Sequence, residues 1–410
     1  MREIIEFFRL GNRHAVHHPR FFGKAPAATT AETGERKKAY EYWMNDMYLN
    51  YREPIAINSN PGMVFPPRKF TTILDVARFA ARLIDAALDH KEILNRKALP
   101  VEKATSREAG QPLCMAQFYR ILGASRLPGK KRDFHHVPAS SSSHLPPPER
   151  LEWVLEATDH KRIEEAGLYL DNLVKDLDFQ VFRYNGYGKE FMKSCKVSPD
   201  VYIQLALQLT YYRLYGKLTA TYESASVRRF RMGRVDCIRS ASPEALAWVK
   251  AMSQPKEDDT SNKKVTFHLV SDEKKILLWN EAVAAQTTEM VENILGQGID
   301  LHILGLREAA KETSPTAASP LPKLFTDASY RLANKFLLST SQVATSTNSF
   351  MGYGPVESDG YGASYNPKTD CIIFCLSAFW SSEVTSTSKY AQSLEESLNI
   401  MQSLLTRPST

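Results

Sequence analysis

The chain has 410 residues, of which 43% are hydrophobic and 24% charged, and its formal net charge is +6. This composition is typical of a soluble globular protein with two or three domains. The charge is compatible with a small polyanionic ligand such as a nucleotide, but it is too dispersed to indicate a nucleic-acid partner. No stretch reaches the roughly 18 consecutive apolar residues of a membrane span, so we expect none.

The cysteines and the chain ends indicate a reducing compartment. Cys114, Cys195, Cys237, Cys371 and Cys375 are an odd set without metal-type spacing, which favours free thiols and no metal site. The N-terminus is charged from its second residue and has no separate apolar core, so we expect no secretory signal. The C-terminal RPST is no peroxisomal address. These features predict a cytoplasmic protein.

The N-terminal third predicts helices interrupted by irregular segments. Residues 1–38 mix basic and small residues and predict a disordered arm. An aromatic-rich amphipathic helix over 39–51 and a second helix over 72–90, with apolar residues at helical spacing, follow. Residues 130–149 combine a basic run, four serines and three prolines, which predicts a linker or a surface loop.

Beyond the linker, helical patterns alternate with short apolar strands, which indicates α/β layers. The predicted elements are a helix over 161–177, a strand over 179–184, a helix over 201–215, mostly helical residues over 276–306, a strand over 371–379 and a closing helix over 389–405. Gly352 to Gly354 and Gly360 to Gly362 each bracket a tyrosine, and we interpret them as turn glycines.

Residues 221–240, TYESASVRRFRMGRVDCIRS, are the most informative stretch. They are dense in Ser, Thr, Tyr and Arg and therefore poor core material, so the apolar segments around them must hold them in place. Such a run offers hydroxyl groups and charges to a ligand.

Several motifs occur in an order that resembles the carnitine/choline acyltransferase family. They are EYWMNDMYLNYR (41–52), QPLCMAQFYRILGASRLPG (111–129), YGKEFMKSCKVSPD (187–200), TYESAS (221–226), LSTSQV (338–343) and YGPVESDGYGASYNP (353–367). The resemblance implies a coenzyme A-dependent acyltransferase fold of two similar α/β domains, each with a mixed sheet, around an active-site tunnel.

The resemblance is interrupted between residues 129 and 151. A family member carries a block of domain size there, on the order of 150–200 residues, and that block contains the catalytic histidine motif. None of the ten histidines stands in that motif, and the pair His135 and His136 lies in the linker, where a rigid base is not expected.

We therefore predict a shortened family member with one mixed-sheet domain nearly complete and the second largely absent. Its parts are the arm (1–38), helices that pack on the C-terminal domain (39–90), a remnant of the N-terminal catalytic domain with the Pro/Ser linker (91–146) and the C-terminal acyltransferase domain (147–410).

The resemblance also assigns site residues. Three lysines within about two helical turns can neutralise the phosphates of coenzyme A as point charges, whereas in an arbitrary sequence they would be a solvated basic turn. The implied coenzyme A ligands are Lys189, Lys193, Ser194, Cys195, Lys196, Val197, Ser198, Pro199, Asp200, Ser226 and Gln342. Ser341 is the implied catalytic residue, since its family counterpart faces the oxyanion.

Val235 and Leu301 decide between the two acceptors of the family. Carnitine carries a carboxylate, and its enzymes hold a Thr and an Arg at these two positions, where this chain is apolar. An unpaired buried carboxylate costs several kcal/mol, so choline is favoured. Its quaternary ammonium would lie against aromatic faces. The expected acceptor residues are Tyr222, Ser224, Val235 and Tyr353.

The expected reaction is acetyl transfer from acetyl-CoA to choline, impaired here by loss of the histidine. An inactive coenzyme A-binding module is the alternative, and carnitine as acceptor is disfavoured. A serine hydrolase lacks its GxSxG element. We expect small-molecule substrates as partners, neither nucleic acid nor a membrane, and a monomer.

Overall fold

The computed structural model describes residues 38–50, 62–65, 68–105, 109–116, 118, 154–253, 270–313, 321–343, 345 and 349–406. The predicted arm up to residue 37 lies outside the described residues, as does the linker with His135 and His136. Among the helices within the described ranges, none is both long and apolar enough to cross a membrane.

Helices and short strands alternate along the described chain. The helices are α1 (Lys38–Met44, continued by a π-turn segment Asn45–Leu49), α2 (Ile73–Asn95), α3 (Ala157–Asp176), α4 (Lys189–Ser194), α5 (Pro199–Tyr215), α6 (Pro243–Met252), α7 (Asp272–Ile294), α8 (Ile299–Thr313), α9 (Lys323–Thr326), α10 (Ala328–Ala333) and α11 (Thr387–Leu405). The strands are β1 (Gly62–Val64), β2 (Leu177–Tyr184), β3 (Thr221–Ser226), β4 (Val235–Ile238), β5 (Leu338–Gln342), β6 (Phe350–Gly352), β7 (Tyr361–Pro367) and β8 (Ile372–Phe379).

Six of the strands form one mixed sheet in the order β2-β8-β7-β5-β3-β4. The central strand β5 pairs in parallel with β3 and β7, while the β2–β8, β7–β8 and β3–β4 pairs are antiparallel. The prediction of an α/β fold with a mixed sheet is confirmed. Strands β1 and β6 form a separate antiparallel pair.

Helix α5 is the centre of the core. It begins at Pro199 after Ser198 and ends at Gly216, whose φ of 67° is the left-handed conformation that suits a glycine cap. Every residue from Val201 to Tyr211 is buried, since α6, α7 and α11 pack around it and one side faces the sheet. A helix that is enclosed on all sides is apolar all round rather than amphipathic.

The two faces of the sheet differ in character. Side chains alternate across a strand, and residues paired across neighbouring strands share a face. The face under α5 carries Thr340 and Tyr365, both hydrogen-bonded to Gln204 of that helix. The opposite face, which we call the serine face, carries Ser339 and Ser341 of β5, Ser364 of β7 and Ser377 of β8.

The segment 221–240 is part of the sheet core, contrary to its polar composition. It supplies β3 and β4, and Glu223, Ala225 and Asp236 are buried. Gly362 also departs from prediction, because it lies inside β7 rather than in a turn. A Cβ at Gly362 would come within 2.4 Å of Ser377 Oγ and 3.1 Å of the Tyr353 carbonyl oxygen, so close packing explains this glycine.

The N-terminal segments contact the C-terminal part unequally. Helix α1 packs on α8, where Tyr42 donates to Glu312 at 2.6 Å and Arg307 pairs with Asp46. Farther along the chain, Arg228 forms an ion pair with Glu102 at 2.6 Å and donates a hydrogen bond to the Cys114 carbonyl.

Helices α2 and α3 leave most of their apolar side chains exposed. Leu94 is the one buried residue of α2 among those described, and α3 has none. On α3, Ile163 is 57% and Leu168 63% exposed, and Val181 on the neighbouring strand β2 is 42% exposed. Helix α3 and strand β2 therefore present apolar surface, while the domain limits remain a prediction.

A pair of substitutions tests whether α3 is truly uncovered. We expect Leu168→Ser to change the free energy of unfolding by less than about 0.5 kcal/mol, because an exposed side chain loses no burial. Leu205→Ala, at a position only 1% exposed, should cost about 2–5 kcal/mol. Urea unfolding of both variants measures this. A cost for Leu168→Ser similar to that of Leu205→Ala would mean that α3 is buried in solution.

Candidate coenzyme A and acceptor site

The predicted coenzyme A segment is fixed to the turn between β7 and β8. The amide of Lys189 donates to the Lys368 carbonyl at 2.8 Å and that of Glu190 to the Thr369 carbonyl at 3.3 Å. Gly188 permits this approach, since a Cβ there would lie 2.4–2.6 Å from backbone atoms of residues 368–371. Helix α4 therefore starts at a defined place on the sheet.

The middle of this segment turns sharply while its cations stay outside. Lys196 has a φ of 60°, a left-handed conformation that is uncommon for a residue other than glycine. Val197 beside it is buried, and its amide bonds the Met192 carbonyl at 3.2 Å, which stabilises the turn. Lys193 and Lys196 are exposed, and Lys193 pairs with Glu190 at 3.0 Å.

The other predicted residues of the segment contribute to the local structure, and some of them are also exposed. The Ser194 hydroxyl donates to the Phe191 carbonyl at 2.7 Å, and burial raises the pKa of the half-buried Cys195 thiol. Ser198 is the N-cap of α5, Pro199 its first residue, and Asp200 lies in its first turn. A thiol with a raised pKa is a poor nucleophile at neutral pH.

Lys368 and Arg183 extend the cationic surface and were not among the predicted residues. Burial, together with the neighbouring charges of Lys189 and Arg183, lowers the pKa of Lys368, so the three cations lie near one another. The sequence signal was the Lys after Asn-Pro in 366–368. It was informative only once the β7–β8 turn was known to hold α4.

Gln342 reaches the coenzyme A segment through Tyr365. The two residues are paired across β5 and β7. The Tyr365 hydroxyl donates to Asp200 at 2.5 Å, and burial together with this carboxylate raises the pKa of the phenol. The sheet therefore brings Gln342 to the start of α5, more than a hundred residues away in the chain.

The predicted catalytic and acceptor residues share the serine face. Ser341 is half-buried near the end of β5 and pairs with Ser364, and Tyr222 pairs with Ser339. Ser224 and Ser226 follow on the same side of β3, both exposed, and the Ser224 hydroxyl lies 3.2 Å from that of Tyr222. Ser226, predicted as a coenzyme A ligand, therefore lies on the acceptor side of the sheet.

Tyr353 lies over this face. The Tyr353 hydroxyl donates to the Ser339 carbonyl at 3.0 Å, and the Tyr353 carbonyl accepts a hydrogen bond from the Ser377 hydroxyl at 2.6 Å. Burial raises the pKa of the Tyr353 phenol, so it is neutral at physiological pH. Tyr222 packs edge-on against Phe336 with ring centroids 5.6 Å apart. The two predicted cation-binding tyrosines are thus held on one side of the sheet.

Asp236, the residue after Val235, connects β4 to Leu301 of α8. Val235 pairs with Ser226, and the next residue, Asp236, accepts hydrogen bonds from the amides of Cys237 at 2.8 Å and Leu301 at 3.2 Å. Burial and the Asp300 carboxylate raise the pKa of Asp236 to about 7. The backbone of Leu301 is thus fixed to β4 by the residue next to Val235.

A second buried carboxyl group lies under β3. Glu223 accepts hydrogen bonds from Ser240 and from Gln286, both at 2.6 Å. Burial and the adjacent Asp200 carboxyl raise its pKa well above the ordinary value. Glu223 therefore holds its proton to a higher pH than an exposed glutamate does.

Within the described residues, no group of three or more His, Cys, Asp and Glu side chains could hold a metal ion. The described histidines are His90 on α2, His160 on α3 and His302 on α8, and none of them hydrogen-bonds a predicted site residue.

The buried carboxyls predict a pH-dependent stability. A folded pKa raised above the unfolded value means that stability falls as the pH rises from about 4 to the folded pKa, and is constant above it. For Asp236 this window ends at about pH 7. We expect Asp236→Asn to flatten the decline in melting temperature across that window, because its Oδ1 still accepts both amides.

The matched control is Asp85→Asn on the exposed surface of α2, which should leave the pH profile as in the parent chain. Thermal unfolding between pH 4 and 8 makes the comparison. An unchanged slope for Asp236→Asn would mean that Asp236 is ionised throughout.

Comparison with known proteins agrees with this arrangement. The family model for choline/carnitine O-acyltransferases matches residues 28–145 and 134–396. Choline O-acetyltransferase of Drosophila melanogaster is 37% identical, with 90% of this chain and 79% of that protein covered, and the pig enzyme is 31% identical, with 89% and 82% covered. Carnitine O-acetyltransferase of the rat is 28% identical, with 89% and 83% covered.

The match also locates the missing block. The alignment with the fly protein extends over 573 residues, although this chain has 410, so the relative carries internal residues without a counterpart here. The two matched pieces meet at residues 134–145, inside the predicted linker. The family match likewise confirms the expected coenzyme A-dependent acyltransferase fold, and the chain belongs to the choline/carnitine acyltransferase family.

Proposed function

We propose that this chain belongs to the choline-using branch, whose reaction moves acetyl from acetyl-CoA to choline and gives acetylcholine and coenzyme A. We propose further that this shortened form keeps the coenzyme A side of the site but transfers acetyl poorly. The proposal is supported by one hydrogen-bonded unit, which runs from Asp200 through Tyr365, Gln204 and Thr340 to the Tyr222 carbonyl and links the proposed coenzyme A segment to the proposed acceptor strand.

Coenzyme A would bind through its phosphates to the cationic corner. Lys189, Lys193 and Lys196 supply ammonium groups, and Lys368 and Arg183 lie beside Lys189. Several cations that repel one another gain stability when an anion enters, which favours binding of a 3'-phosphate or a pyrophosphate. Gln342 at the end of β5 is a further proposed contact with coenzyme A, and it follows Ser341, which is paired with Ser364.

Choline is favoured as the acceptor by apolar and aromatic surroundings. Val235 and Leu301 offer no partner for a carboxylate, whereas Tyr222 and Tyr353 offer aromatic faces to a quaternary ammonium. Ser224 lies beside the Tyr222 hydroxyl. The relatives named choline O-acetyltransferase are also more similar in sequence than the carnitine enzyme.

Transfer requires a base to deprotonate the choline hydroxyl and a donor for the oxyanion. Ser341 on the serine face is the proposed oxyanion donor, since a hydroxyl can donate to the developing charge. General-base assistance contributes roughly 10²–10⁴-fold to such a rate. The histidine motif that provides the base in the family is absent from this sequence. An inactive coenzyme A-binding module is therefore the second candidate.

The proposed domain limits, compartment and oligomeric state are those that the sequence predicts. The chain would comprise the arm (1–38), the helices over 39–90, the remnant of the catalytic domain (91–146) and the acyltransferase domain (147–410). It would act in the cytoplasm as a monomer on small-molecule substrates.

The proposal is tested by acetyl transfer and by binding in parallel. Purified chain is assayed with acetyl-CoA and either choline or carnitine, and coenzyme A binding is measured by calorimetry. We expect binding, with choline turnover reduced by at least the general-base factor relative to the fly enzyme. Binding with no turnover at all supports the inactive module. Transfer to carnitine in preference to choline, or absence of binding, would overturn the proposal.

Substitution of the exposed lysines tests the phosphate contact. We expect Lys193→Ala combined with Lys196→Ala to weaken coenzyme A binding by roughly tenfold, about 1.4 kcal/mol, and to reduce its dependence on salt, because two point charges near the phosphates are lost. The control removes two lysines of α3, Lys161→Ala with Lys175→Ala, and leaves the affinity unchanged. Equal losses in both double variants would indicate a general charge effect instead.

A further inference from the structure

Gln204 of α5 lies where the two halves of the proposed site meet beneath the sheet. Its side chain is fully buried and donates two hydrogen bonds of 2.9 Å, one to the Thr340 hydroxyl and one to the Tyr365 hydroxyl. Thr340 is flanked by Ser339 and Ser341 on β5. The amide therefore contacts the strand that carries the proposed oxyanion residue.

The Thr340 and Tyr365 hydroxyls each donate a further hydrogen bond to a defined acceptor. Each hydroxyl accepts a hydrogen bond from the Gln204 amide, so its own proton is available to be donated to another acceptor. Thr340 donates to the Tyr222 carbonyl at 2.7 Å, and Tyr365 donates to Asp200 at 2.5 Å. One branch thus ends on the acceptor strand β3 and the other on the coenzyme A segment.

The Asp200 branch continues to β3 by a second route. Glu223 follows Tyr222 in β3, and the nearby Asp200 carboxyl raises its pKa. Its side chain accepts hydrogen bonds from Ser240, which follows β4, and from Gln286 of α7. A buried network in which every hydroxyl is oriented resists changes in the spacing of its members. The start of α5 and the backbone at Tyr222 are therefore held at a set distance.

We propose that Gln204 is the positioning residue that couples the coenzyme A segment to the acceptor strand, an inference that rests on the proposed function. It touches neither substrate. Its role is to hold Asp200 and Tyr222 in register through Tyr365 and Thr340, so that the thioester and the acceptor hydroxyl meet in one geometry.

Gln208, one helical turn later, provides a matched control. It is equally buried, and its amide donates to the Thr221 hydroxyl at 3.0 Å. That hydroxyl donates in turn to the Thr219 carbonyl at 3.1 Å, so this chain of bonds ends before the site. In both glutamines the Oε1 atom has no hydrogen-bond partner in the structure. Replacement by leucine is therefore the same chemical change at both positions.

The experiment compares Gln204→Leu, Gln208→Leu and Tyr365→Phe in the full chain. We expect Gln204→Leu to weaken coenzyme A binding by about fivefold or more, as contacting network members commonly couple, and Gln208→Leu to change it by less than twofold at a similar melting temperature. Tyr365→Phe keeps the ring and should weaken binding too. The double variant Gln204→Leu with Tyr365→Phe should lose less than the sum of the two single losses.

Amide hydrogen exchange provides the readout that does not need a ligand. In Gln204→Leu, exchange should accelerate over residues 199–203 and 222–226 relative to Gln208→Leu. Equal exchange and equal affinity in the two leucine variants would overturn the inference and leave Gln204 a core residue. If the parent chain itself fails to bind coenzyme A, the proposed function fails, while the exchange comparison still decides the coupling.

Discussion

The arrangement of this molecule depends on the parallel pairing of β5 with β3 on one side and β7 on the other. Parallel strands in register place consecutive side chains on alternate faces, so Ser341 and Gln342 point to opposite sides of the sheet. The pairing puts Ser341 on the face of Tyr222 and Gln342 beside Tyr365 and Asp200. A shift of one residue would exchange the two sets and separate both from their partners.

The buried polar groups under the sheet specify that register. Thr340 meets both the Gln204 amide and the Tyr222 carbonyl, and these bonds form together in one alignment only. Burial and the Asp200 carboxyl raise the pKa of Glu223, and its side chain accepts hydrogen bonds from Ser240 and Gln286. A buried carboxyl without such partners would be strongly destabilising. The same bonds thus stabilise the fold and align the proposed site.

The loss of a domain-sized block has a visible physical consequence. In the sequence, helix α2 precedes residues 134–145, where the two family matches meet, and helix α3 follows them. Both helices expose apolar side chains such as Ile84 and Leu168. The core around α5 is complete without that block. The molecule therefore combines a packed core around α5 with exposed apolar side chains on α2 and α3.

The sequence itself determined four features, because each depends on neighbouring residues. They are the order of motifs, the cationic segment, the start of α5 at Ser198-Pro199 and the absence of the histidine motif. The tertiary structure alone decided that Glu223 and Asp236 are buried, that Gly362 belongs to a strand and that Lys368 lies beside Lys189. These outcomes depend on pairing between segments far apart in the chain, and local polarity does not report which face of a strand will be covered. For that reason composition described 221–240 as poor core material, whereas the sheet buries Glu223, Ala225 and Asp236 of this segment.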